Sequence, residues 1–204
     1  MLSGYLSKVL KNGILPFQED GVAPRLHGLE ALITKEKLTV LELGAGCGIV
    51  GLTLCAHRSQ ATTIQLTDLP EATSILERNI SQYRQTKCTS VVTQKVLDWS
   101  DEELPTDIAS TIWDLVLVAD CTYNPDVVPD LVKTLKNITS GKSRDALVCL
   151  AMKVRHESEM VFFELMHKAG FVVLEKGRIR LPVLADEDQQ IEIFVFRDRN
   201  RSLS

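Results

Sequence analysis

The stretch Glu42-Leu43-Gly44-Ala45-Gly46-Cys47-Gly48 sets an acid two residues ahead of three glycines at alternate positions. Glycines in such a run permit a tight turn and let a ligand approach the backbone closely. Loops that hold a dinucleotide pyrophosphate are spaced G-x-G-x-x-G and set the phosphates on a helix N-terminus. The spacing here is G-x-G-x-G, and Glu42 beneath the loop suits a cation, directly or through water. A nucleoside with an amino group and a sulfonium but no phosphate, as in S-adenosylmethionine, meets both conditions. A ligand-free turn between strand and helix uses the same glycines, so this loop taken alone is a weak signal.

Three further positions strengthen it. Asp68 lies 20 residues beyond Gly48, where a carboxylate can accept both hydroxyls of a ribose. A helix cap ahead of Pro70 is the competing reading. Leu97-Asp98-Trp99 offers an aromatic face for adenine and an acid for its amino edge, although Trp99 could equally close the core. Asp120-Cys121-Thr122-Tyr123 places an acid and a phenol where the methyl acceptor would enter. Methyl transfer to nitrogen needs a neutral amine in line with the sulfonium, so orientation and proton removal count for more than covalent catalysis. The plain alternative is an acidic turn before a helix, with Asn124 or Asp126 as its cap.

These residues need strands and helices to hold them, and the apolar pattern supplies both. Helical spacing covers residues 2–10, a loop 13–25, and a short helix 28–35. A compact apolar strand at 38–43 runs into the glycines, with a helix at 49–56. Strands follow at 62–67, 90–96, 113–119 and 145–152, separated by helices at 71–83 and 126–138. A helix at 157–169 and strands at 171–175 and 191–197 close the chain. Strands alternating with helices, the central ones apolar throughout, indicate an α/β fold with a mainly parallel sheet covered on both faces. Two final strands without a helix between them indicate an antiparallel strand at the C-terminal end. The 204 residues fit one domain spanning 1–204.

Composition excludes several classes. The chain is 45% hydrophobic and 25% charged, with a net charge of −4, which argues against nucleic-acid binding driven by charge. No apolar run reaches the roughly 18 residues of a membrane helix, and no secretory leader is apparent. Cys47, Cys55, Cys88, Cys121 and Cys149 are scattered without Cys-x-x-Cys spacing, so no zinc site or redox pair is expected. They read as small buried hydrophobes in a reducing compartment, the cytosol or nucleus. His27, His57, His156 and His167 show no metal spacing. His156 reads as a surface residue, with a place at the mouth of the site as the alternative, and Lys153 and Arg155 read as solvated charges, with contact to an acidic partner surface as the alternative. Asp186-Glu187-Asp188 is either a solvated turn or an attractor for a basic protein, and the tail Arg197 to Arg201 reads as a frayed end.

Taken in order, residues 41–52, Thr67-Asp68-Leu69, Asn79-Ile80, Leu97-Asp98-Trp99 and residues 118–123 resemble the seven-strand, Rossmann-like methyltransferases, and more narrowly methyltransferase family 16. That group consists mostly of protein-lysine methyltransferases dependent on S-adenosylmethionine. The resemblance spans residues 1–155. It implies that Gly44 and Gly46 lie at the methionine part of the cofactor, Asp68 at the ribose, Trp99 at adenine, and Ala119 beside the donor. It also implies that Asp120 and Tyr123 form the Asp-x-x-Tyr element at the target side chain. The family's Trp-containing segment before its first helix is expected to be absent, because Met1-Leu2-Ser3-Gly4-Tyr5-Leu6 looks like the helix that follows it. The expectation is a monomeric protein-lysine methyltransferase with a protein substrate. The rivals are a related enzyme with a small molecule or another protein side chain as acceptor, a non-catalytic cofactor-binding module, and, more weakly, an NAD-linked oxidoreductase.

Overall fold

The computed structural model describes residues 26–58, 60–85, 90–153, 160–180 and 190–199. The expected helix at 2–10, the loop at 13–25, Cys88, Arg155, His156, the acidic loop at 186–188 and residues 200–204 lie outside these residues. Arg197 and Asp198, expected in a frayed tail, instead end the last strand, where Asp198 is buried and paired with Lys136.

Seven strands form one sheet in the order β3-β2-β1-β4-β5-β7-β6. They are β1 (Leu38–Leu43), β2 (Thr62–Asp68), β3 (Val91–Val96), β4 (Leu115–Ala119), β5 (Leu147–Met152), β6 (Phe171–Arg180) and β7 (Gln190–Asp198). Strand β7 runs antiparallel to both β5 and β6, and the other pairings are parallel. The helices are α1 (His27–Ile33), α2 (Ile49–His57), α3 (Thr73–Arg84), α4 (Thr106–Ser110), α5 (Val128–Ser140) and α6 (Met160–Lys168). Strand order reverses between β1 and β4, and in open α/β sheets ligands bind outside the carboxyl ends of strands at such a switch.

The period of two along each strand divides the core into two layers. Leu38 and Val40 of β1, with Leu115 and Leu117 of β4, pack among Leu29, Ile33, Val50, Leu54, Leu76 and Ile80 on one face. Leu41 and Leu43, with Val116 and Val118, pack among Leu131, Leu135, Phe162 and Met166 on the other. That is why β4 and β5 read as unbroken apolar runs and β1 as a mainly apolar one. The same alternation puts Glu42 on the first face, beneath α2.

Long-range polar contacts fix α1 and its exit. The buried Arg58 guanidinium donates to Thr62 Oγ1 and the Lys35 carbonyl, both at 2.7 Å, and to the Ile33 carbonyl. Glu175 on β6 accepts from the N–H groups of Gly28 at 2.6 Å and Leu29 at 3.3 Å, satisfying donors at the start of α1.

Several boundaries differ from the sequence expectation. The helix expected at 71–83 begins as a 3-10 turn, Pro70–Ala72, before α3. Helix α5 starts at Val128 rather than Asp126, because the Asn124 side chain accepts from the Asp126 N–H at 3.1 Å in a turn of its own. Neither Asn124 nor Asp126 therefore caps α5. Trp113 precedes β4 and sits in the core, its indole N–H donating to the Ile108 carbonyl at 3.0 Å. Helix α4, unforeseen in the sequence, supplies that carbonyl. Strand β6 continues to Arg180, five residues beyond the expected end, because its pairing with β7 persists past a bulge between Val173 and Glu175.

Candidate active site

At the carboxyl ends of β1, β2 and β4, a cleft of about 460 Å³ opens beside the glycine loop. Gly44, Gly46, Asp68, Asp98, Trp99, Ala119, Asp120 and Tyr123, all expected from the sequence to be site residues, line it. A second, smaller lobe of about 160 Å³ shares Gly44, Ala119 and Asp120 with the cleft and reaches inward to Glu42. The fold thus brings together every candidate named from the sequence, in two connected spaces.

The loop between β1 and α2 is held from three sides. Its Ala45 N–H donates to the Thr67 carbonyl on β2 at 2.9 Å. Asn79 on α3 donates to the Cys47 carbonyl at 2.8 Å, a contact that the sequence did not foretell. The Asp68 carboxylate accepts from the Gly46 N–H at 2.6 Å and from the Leu69 N–H at 2.7 Å. Asp68 therefore closes the loop and lines the cleft at once, with no cap on a helix.

Gly44 is required twice over. Its φ is +62°, and a Cβ there would lie 2.6 Å from Cys121 Sγ and 3.2 Å from the Trp99 ring. The bare backbone leaves a cradle between the loop and the indole. Trp99 is half-buried, packing on the core beneath while lining that cradle, so one side chain both closes the core and faces the cleft. Asp98 accepts from the N–H of Ser100 at 2.9 Å and its hydroxyl at 2.7 Å, and these bonds hold its carboxyl below the usual carboxylate range.

Glu42 is 2% exposed. Burial pushes its carboxyl up to about 8, and the charge of Asp68 adds to the rise, while the bond from the Gly51 N–H opposes it. The acid expected under the loop is therefore present but deep, touching the smaller lobe from below.

Asp120 follows β4 with φ +57°, the left-handed backbone that asparagine and aspartate tolerate better than other side chains. Its N–H donates to the Ala151 carbonyl on β5 at 2.8 Å. Strained backbone of this kind clusters at functional sites. It turns the chain sharply, so that Cys121 tucks beneath the loop while Asp120 and Tyr123 face the cleft. Cys121 is buried, its thiol pushed up to about 12 by desolvation, and it donates to the Ala119 carbonyl at 3.3 Å. Such a thiol is no nucleophile. Tyr123 is 66% exposed at the outer rim. Among the described residues, no cluster of acids, cysteines and histidines suits a metal ion, and no helix is long and apolar enough to cross a membrane.

The donor set fits S-adenosylmethionine: a carboxylate at the loop and a buried carboxyl beneath it, an aromatic face, a cradle free of side chains, and, among the described residues, no phosphate-binding cation lining the cleft. A family model described as lysine methyltransferase matches residues 1–169. The protein N-lysine methyltransferase METTL21A of Xenopus tropicalis is 28% identical over 165 residues, which are 80% of this chain and 67% of that protein. The protein-lysine N-methyltransferase EFM6 of Saccharomyces cerevisiae is 32% identical over 157 residues, 70% of this chain and 60% of that protein. The chain thus spans only part of the length of these curated relatives. A solved SAM-dependent methyltransferase of Methanosarcina mazei shares the fold, with a TM-score of 0.59 at 13% identity over 80% of this chain and 93% of that one.

Proposed function

The chain belongs to the lysine methyltransferase family, and from that premise we propose that it transfers a methyl group from S-adenosylmethionine to the side-chain amine of a lysine in another protein. The observation that carries this reading is the junction of the two spaces at Ala119 and Asp120, with the glycine loop on one side and the Tyr123 rim on the other.

Each residue then has a task. Trp99 stacks against adenine, and Asp98 serves its amino edge. Asp68 receives the ribose hydroxyls, while Gly44 and Gly46 give the cofactor a surface without side chains. Glu42 supplies a buried carboxyl beneath its methionine part. When bound, the cofactor supplies an electrophilic methyl group on a sulfonium. Asp120 orients the incoming amine by charge, and Tyr123 walls the path along which the lysine stem enters. Holding the amine in line is the main contribution available from such a site. The amine's proton leaves to water through the open rim.

A protein substrate agrees with the exposed rim at Tyr123 and with a chain of net charge −4, which does not favour nucleic acid as the acceptor. A reducing cytosolic or nuclear setting and a monomeric state complete the proposal. The test is incubation with methyl-labelled S-adenosylmethionine and a cell lysate. We expect a labelled protein band whose label resides on lysine after hydrolysis. Cofactor binding without any labelled protein, or label entering only small metabolites, would sink the reading.

A further inference from the structure

Resting on that reading, we propose that Lys153, at the end of β5, binds the carboxylate of the cofactor's methionine part and so makes the site selective for a cofactor that carries one.

The shape of the site sets where the amino-acid end of such a ligand must lie. Trp99 and Asp68 lie on the side of the larger cleft, and the smaller lobe lies across Gly44, Ala119 and Asp120 from them. A ligand with its adenine at Trp99 and its ribose at Asp68 must extend its amino-acid end over Gly44 into that lobe. This end is a zwitterion on a short aliphatic stem. The lobe is matched to it. Ile49, Val50, Ala151, Met152 and Ile191 give apolar walls, Glu42 and Asp120 give carboxyl groups, and Lys153 gives a cation. Among the described residues lining either space, Lys153 is the one cation, against Asp68, Asp98, Asp120 and Asp130 in the larger cleft. Of these charged side chains, Lys153 is the one that attracts an anionic ligand group.

Register explains how the lysine comes to be there. Met152 is the last residue of β5, and Ala151 on that strand pairs with Ala119 on β4. Lys153 therefore leaves the sheet one step beyond the neighbour of Asp120, level with the mouth. It is half-buried, which strengthens a charge-assisted hydrogen bond relative to open water.

The experiment compares two ligands on two proteins by titration calorimetry. S-adenosylmethionine carries the carboxylate, and 5′-methylthioadenosine lacks the whole amino-acid end. Lys153→Gln is expected to weaken S-adenosylmethionine roughly tenfold to a hundredfold while changing 5′-methylthioadenosine by less than about twofold, and Lys153→Arg is expected to restore most of the loss. Equal weakening of both ligands would mark a structural role and overturn the proposal. So would an unchanged affinity for S-adenosylmethionine. If the unaltered chain binds neither ligand at millimolar concentration, the functional reading itself falls with it. If it binds both ligands equally, only the assignment of Lys153 falls.

Discussion

The Gly51 backbone N–H donates to Oε2 of Glu42 at 2.8 Å within the core. The bond exists because position 51 has no side chain: a Cβ there would stand 2.6 Å from that same oxygen, 2.5 Å from Ile64 Cδ1 and 2.6 Å from Leu66 Cδ2. One residue of α2 thereby governs both the packing of the helix on β2 and the approach of a buried acid.

Gly51→Ala is therefore expected to destabilise the fold by about 1–3 kcal/mol, the usual cost of overpacking a filled core. That cost outweighs the gain in helix propensity of about 1 kcal/mol that alanine brings elsewhere. Denaturant unfolding followed by circular dichroism measures the difference. A variant as stable as the parent would show that the helix can lift without cost.

Glu42 makes stability depend on pH in an unusual direction for a carboxylate. Its pKa is raised from 4.5 to about 8 in the folded chain, so between those values the folded state keeps a proton that the unfolded state has lost. The free energy of unfolding then falls as pH rises across that window, by up to about 1.36 kcal/mol per pH unit. The contribution is complete below pH 4.5 and lost as pH passes through about 8. Glu42→Gln keeps an acceptor for Gly51 but cannot ionise, so it is expected to flatten this part of the profile. Unfolding midpoints at pH 5.5 and 8.5 on both proteins decide it, and parallel profiles would exclude Glu42 as the source.

Asp120→Gly separates the backbone of this position from its carboxylate. Glycine adopts φ +57° without strain, so the fold is expected to hold within about 1 kcal/mol of the parent. S-adenosylmethionine should still bind, while protein methylation falls by roughly a hundredfold or more through loss of orientation of the amine. Calorimetry and the labelled-band assay are read together, and undiminished methylation would remove Asp120 from the reaction.

Trp99 provides an optical handle. The chain has two tryptophans, and Trp113 is 3% exposed in the core beside Ile108, whereas Trp99 lines the cleft. Adding S-adenosylmethionine is expected to change the intrinsic fluorescence in a saturable way, and Trp99→Phe should remove the change while leaving Trp113 emission in place. A signal that survives in Trp99→Phe would place adenine elsewhere.

Much of the fold could be read from local pattern. Strands β1, β2, β4 and β5 lie within two residues of their expected bounds, because each is an apolar or alternating run bounded by turns and the period of the run is a local property. The boundaries that moved did so for reasons a single window cannot hold. Helix α5 begins late because Asn124 prefers a turn with Asp126, and β6 runs on because β7 offers it a partner. Helix α4 is only five residues long and lacks enough periodicity to announce itself.

The site divides along the same line. The sequence by itself determined that a glycine loop, an acid at the second strand's end, an aromatic after the third and an Asp-x-x-Tyr after the fourth would occur in that order, since each is a short motif tied to a strand end. Only the tertiary structure decided that Asn79 would pin the loop, that Cys121 would lie beneath Gly44, that Glu42 would meet Gly51 in the core, and that Lys153 would line the inner lobe rather than stand in solvent. The reason is the register of a parallel sheet: strands far apart in sequence end at one level, and which side chains meet there follows from their alignment and the two-residue alternation of each strand, not from any spacing along the chain.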